Sequence, residues 1–158
     1  MTDDTLEYCL KGLRDPDKTV RARNMEKLAE IGTPAVSSLM ILLSDSDWVV
    51  RYRAAEALGC IRDPVSTGHL ITLTGDSKDH VRYMAAKALG GMKDDRIPPV
   101  LVRLLRDNHL YTRRIASAGI AASKDLAAGD ALRAAMETEH DLETREIFRK
   151  DLILMKKG

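Results

Sequence analysis

Residues Val50–Gly59, VRYRAAEALG, return at Val81–Gly90 as VRYMAAKALG, with eight of ten residues unchanged and a displacement of 31 residues. The rest of the chain continues the pattern. The V-R pair occurs again at Val20-Arg21 and persists as Thr112-Arg113 and Thr144-Arg145, so the five arginines stand 30, 31, 31 and 32 residues apart. Six residues before each arginine is an acid: Asp15, Asp45, Asp76, Asp107 and Glu139. Eight residues after each V/T comes an aliphatic residue: Leu28, Leu58, Leu89, Ile120 and Leu152. Agreement at three anchors in five places makes this an internal repeat.

Each unit reads as two helices. The first is short and apolar, as in LEYCLKGL, AVSSLMILL, HLITLT and PVLVRLL, and it stops before the anchor acid. The turns DPDK, SDSD, DSKD and RDNH then offer side-chain oxygens that cap the second helix. Gly32, Pro34, Pro64, Pro98 and Pro99 mark the joints between units. The expected division is one domain, 1–158, with units at about 4–32, 33–62, 63–93, 94–124 and 125–158. A hairpin of two helices cannot bury all its apolar surface alone, but stacked hairpins can. Ala54, Ala55, Ala85 and Ala86 stand where larger side chains would force second helices apart, and Gly59 and Gly90 keep the helix ends close. The outer units replace that alanine pair with Asn24-Met25 and Phe148-Arg149, as caps with a single neighbour allow. A capping box at D-T-L-E places the first helix start near Asp4. The last helix is expected from Leu142 to about Met155, followed by Lys156-Lys157, which suits a helix C-terminus.

Composition narrows the function classes. The 158 residues are 44% hydrophobic, 31% charged and only 4% aromatic, which favours a folded chain of helices packed through small side chains. Lys plus Arg is 25 against 24 for Asp plus Glu, so no global charge calls for nucleic acid or anionic lipid. No apolar run approaches a membrane span, and Asp3, Asp4 and Glu7 occupy the place of a basic leader. Cys9 and Cys60 form no metal-type spacing and read as reduced thiols of a cytoplasmic protein.

The pattern D-x5-R with V-R-x-x-A-A-x-A-L-G resembles HEAT-like repeats of the short type first noted in phycobilin lyases. The resemblance implies an all-α, right-handed α-solenoid of five two-helix repeats, spanning roughly residues 4–155. It also implies that Asp15, Asp45, Asp76 and Asp107 join Arg21, Arg51, Arg82 and Arg113 in a hydrogen-bonded ladder along the stack, a structural role. One similar family, deoxyhypusine hydroxylase, holds iron with His-Glu pairs directly after V-R. Here those places hold Ala22-Arg23, Tyr52-Arg53, Tyr83-Met84, Arg114-Ile115 and Glu146-Ile147, so that activity does not carry over. The four histidines, His69, His80, His109 and His140, are scattered, and no phosphate loop or catalytic constellation stands out. The expectation is a non-catalytic protein with no cofactor and no metal. A HEAT-like DNA glycosylase would need a basic face, whereas Lys18, Arg23, Arg53, Lys87, Arg114 and Lys150 alternate here with Glu26, Glu56, Asp79, Glu143 and Glu146.

What remains is the outward face of the second helices. Counting from each V/T at about 100° per residue, the apolar positions +4, +5, +8 and +11 form one buried arc. Positions −1, +2, +3 and +6 lie opposite, with −2 at the edge. The resemblance implies that this face lines the concavity of the solenoid. The sequence places Trp48, Val49, Tyr52 and Arg53 there, then His80, Tyr83 and Met84, then Leu110, Tyr111, Arg114 and Ile115. The single Trp and three of the four Tyr fall in this stripe, Tyr8 being the exception, while Phe148 belongs to the core. At Trp48 packing against the neighbouring unit explains the ring as well as binding does. As a set, the residues are those that dominate protein-binding hot spots. The expected function is a monomeric module that binds a protein or peptide and neither nucleic acid nor membrane; the alternative is an enzyme or enzyme subunit of the lyase or hydroxylase type.

Overall fold

The computed structural model describes residues 3–156, and among them the chain forms ten α-helices and no strand. In order they are α1 (Asp3–Gly12), α2 (Lys18–Ile31), α3 (Val36–Leu42), α4 (Trp48–Ile61), α5 (Thr67–Leu73), α6 (Asp79–Gly90), α7 (Ile97–Leu104), α8 (Leu110–Ser123), α9 (Leu126–Thr138) and α10 (Leu142–Lys156). Short 3-10 turns at Thr33–Ala35 and Pro64–Ser66 precede α3 and α5. Asp4 lies one residue inside α1, Lys156 closes α10, and Lys157 is outside the described residues.

The helices form an α-solenoid. Odd helices pack on the even helix that follows, and the even helices pack on one another in sequence: α2 on α4, α4 on α6, α6 on α8, α8 on α10. Contact between odd helices is sparser, with α7 on α9 the main instance. Small side chains set this difference. A Cβ added at Gly59 would stand 2.8 Å from Ala88 Cβ and 2.9 Å from its Cα, and one at Gly90 would be 3.3 Å from Gly119 Cα. The even helices therefore touch nearly backbone to backbone. Leu28, Leu58, Leu89 and Ile120, the +8 anchors, are fully buried, and Leu152 is nearly so. Each such side chain stabilises the fold by about 1.5–3 kcal/mol.

The anchor acids and arginines brace the turns. Asp15, Asp45, Asp76, Asp107 and Glu139 each accept the amide two residues on, at 2.8–2.9 Å. Arg51, Arg82 and Arg113 each donate Nη1 to the backbone carbonyl of their own unit's acid, at 2.7, 2.9 and 3.0 Å. With Nε and Nη2 they then grip the next unit's acid in a two-pronged fork. The prongs measure 2.7 and 2.9 Å for Arg51–Asp76, 2.7 and 2.8 Å for Arg82–Asp107, and 2.7 and 3.0 Å for Arg113–Glu139. Such bidentate, charge-assisted pairs fix geometry as well as adding energy. The first rung is built differently. Arg21 reaches only the carbonyls of Asp15 and Pro16, its buried Nε has no partner, and Asp45 is held instead by Arg14 from the turn after α1.

Candidate functional site

The outward side of the even helices carries a continuous row of rings. Trp48 at the start of α4 stands 5.7 Å from His80 in α6, His80 stands 5.6 Å from His109 before α8, and His109 stands 5.5 Å from Tyr111, measured between ring centroids. These separations are those of tilted aromatic contacts. The row crosses three successive hairpins near the N-terminal ends of α4, α6 and α8. Its two outer members are open to solvent, Trp48 at 37% and Tyr111 at 55% of full exposure.

Polar groups hold the row in place. Asp79 accepts from the His80 ring Nδ1 at 2.7 Å and from the His80 amide at 2.8 Å, and its other oxygen lies 3.8 Å from His109 Nε2. The His80 contacts keep the Asp79 carboxyl below its ordinary range. His109 Nδ1 is 3.1 Å from Thr112 Oγ1, and the Thr112 side chain is buried. Arg114 lies over the Tyr111 ring at 5.4 Å while bonding Thr144, Asp141 and Glu143 at 2.8, 3.0 and 2.9 Å. Arg53 covers Tyr52 at 5.5 Å and pairs with Glu56 at 2.6 Å. The two arginines of the stripe are thus committed to carboxylates and ring faces, which makes it more aromatic than basic.

Not every residue of the stripe is at the surface. Tyr52, Tyr83 and Ile115 are half-buried and rest against the core, and burial, followed by the nearby Glu56, pushes the Tyr52 hydroxyl pKa upward. Val49 and Leu110 are also half-buried. Met84 is only 2% exposed and belongs to the core. The reason is the width of the buried arc. Position +7, at about 340° on the same wheel, is buried as Ala57, Ala88 and Gly119, because each central even helix is covered on both flanks as well as beneath. Met84 at +3 borders that flank. His109 is the opposite case, a member of the row that a helical wheel misses because it lies in the turn before α8. The available signal was a histidine in that turn, one unit on from His80.

Among the described residues no cluster of three or more His, Cys, Asp or Glu side chains is arranged to hold a metal ion. No described helix is long and apolar enough to cross a membrane.

Family models place this architecture. The HEAT-repeat model matches residues 6–82 and again 69–152. The chain belongs to the HEAT-repeat family. Curated proteins gave no sequence match. Among solved structures, a chain from the complex of CpcE and CpcF of phycocyanin lyase from Nostoc sp. PCC7120 is similar with a TM-score of 0.87 and 18% identity, over 95% of this chain and 99% of that one. Human deoxyhypusine hydroxylase in complex with glycerol gives 0.68 and 19%, over 99% of this chain and 64% of the other. A designed armadillo repeat protein in complex with the peptide (KR)4 gives 0.64 and 18%, over 95% and 81%. At such identities the likeness is one of fold. The structural neighbours thus include a lyase complex, a hydroxylase and a designed peptide complex, and the choice between such roles rests on this chain's own surface.

Proposed function

We propose that this HEAT-repeat protein is an interaction module that docks a protein or peptide on the concave side lined by α4, α6 and α8. The carrying observation is the ring row Trp48–His80–His109–Tyr111, which spans three units. Two further points support it. The even helices approach one another more closely than the odd helices, which supports a stack curved toward them with their outward face inside the curve. Trp and Tyr, here exposed at the two ends of the row, are among the residues in which binding hot spots are enriched. The designed armadillo neighbour, solved in complex with the peptide (KR)4, supports the reading as a similar fold that holds a peptide. The free thiols Cys9 and Cys60 suit a reducing, cytoplasmic setting.

The second reading, an enzyme or enzyme subunit of the lyase or hydroxylase type, draws support from the CpcE/CpcF and deoxyhypusine hydroxylase neighbours. The positions directly after each V/T-R pair hold no His-carboxylate pair in this chain, so the ring row favours binding. A photo-crosslinking amino acid at position 111, compared with one at the exposed Ile41 of α3, tests the module. Crosslinks to a discrete protein from 111 and not from 41 are expected; the reverse pattern moves the docking surface to the odd helices.

A further inference from the structure

The last interface of the stack differs from those before it. At +7 of the even helices, units two to four carry Ala57, Ala88 and Gly119, whereas α10 carries Asp151. At +5, Ala55 and Ala86 give way to Ser117 in α8. Both residues are buried, Ser117 completely and Asp151 to 9% exposure, and the Ser117 hydroxyl is hydrogen-bonded to Asp151 Oδ2. Ser117 Oγ also lies 2.9 Å from the backbone carbonyl of Arg114. A hydroxyl has one proton and here meets two acceptors. Each contact is a full two-centre bond when the carboxyl carries a proton, which it donates to Ser117 Oγ while the serine donates to the Arg114 carbonyl. With the carboxylate ionised, the single hydroxyl proton is shared between two acceptors.

The charged groups of the surrounding elements are engaged elsewhere. On α8, Arg113 is taken by Glu139 and Arg114 by Asp141 and Glu143. On α9, Arg133 pairs with Asp130, and Glu137 is exposed. On α10, Arg149 and Lys150 both turn to Glu146, Arg145 binds the Glu139 carbonyl, and Lys156 is exposed. Among the described residues no cation pairs with Asp151.

We propose that Ser117–Asp151 is a proton-dependent latch that holds the terminal helix α10 on α8, closed when Asp151 is protonated and loosened when it ionises. Burial pushes the Asp151 carboxyl upward, with the Ser117 hydrogen bond only partly opposing it. A group raised in the closed state contributes fully below its open-state value, near 4, and the contribution is lost as pH rises through the closed-state value. Loosening α10 uncovers the α8 flank that carries Ser117, a surface on which another helix can stack.

Hydrogen exchange of α10 peptides between pH 4 and pH 7.5, corrected for intrinsic rates, measures the opening constant. In the full-length chain that constant is expected to climb with pH, at up to about tenfold per pH unit for one titrating proton. Asp151→Asn, whose amide donates as the protonated acid would, is expected to remove the climb, and Asp151→Ala, which copies Ala57 and Ala88, to do the same. The difference between wild type and variants isolates this carboxyl from every other titrating group. An opening constant in wild type that does not rise with pH, or a rise that survives in both variants, overturns the latch.

Discussion

Arg51, Arg82 and Arg113 each perform two tasks with one planar group: Nη1 closes the turn of the arginine's own hairpin, and the Nε–Nη2 fork grips the next hairpin's acid. Lysine cannot reproduce that fork. Arg82 and Asp107 are mostly withdrawn from solvent, with side chains 17% and 8% exposed. Arg82→Ala leaves the Asp107 carboxylate without its partner and is expected to destabilise the fold by about 3 kcal/mol in urea titrations. Arg14, half exposed, is expected to contribute less than about 1 kcal/mol when truncated, although it too holds an anchor acid. The same rungs set an acid limit. Burial pushes the Asp76, Asp107 and Glu139 carboxyls upward, but their arginine forks and turn amides outweigh it and hold them below ordinary values. Their contribution is therefore complete above about pH 4 and is lost as pH falls through the lowered values. Melting temperature is expected to drop on acidification, and less steeply in a variant carrying Arg82→Ala; an equal slope would detach the ladder from the acid limit.

At the level of helices, the repeat period, the turn acids and the small-residue contacts were legible in the sequence, since each recurs at a fixed offset and backbone spacing turns offsets into positions. Features that depend on neighbours were not. Met84 occupies a wheel position that is exposed in α2 (Arg23), half-buried in α4 and α8 (Arg53, Ile115) and buried in α6 alone, so the wheel does not settle it. Arg14 replaces Arg21 on Asp45, and no repeat offset records that exchange. His109 enters the row from a turn, outside helical periodicity. Asp151 breaks the small-residue pattern of its offset, and its pairing with Ser117 is a contact between units that no offset records. Phe148 of α10 is fully buried at the offset where units two to four place alanine. Deleting residues 140–158 removes that ring, Leu152 and Glu139's neighbours in one step. The truncated chain is expected to melt well below the full chain, and an unchanged melting curve would show that the stack needs no cap there.

Taken whole, the molecule has one layer of tightly apposed helices whose outward face presents rings, and a looser layer of odd helices whose exposed apolar residues, such as Ile41, stand singly. Under the proposed function this aromatic side is the one that meets a partner. Tyr52 and Tyr83 support the core as well as the face, so truncating them is expected to reduce stability along with binding. Trp48 and Tyr111 are the cleaner probes, being more exposed. The most direct measurement is calorimetric titration of the crosslinked partner, once purified, against wild type and a Trp48→Ala/Tyr111→Ala chain of unchanged helical circular dichroism. A loss of about 1–3 kcal/mol per hot-spot ring is the predicted result, and wild-type affinity in the doubly substituted chain would contradict the account.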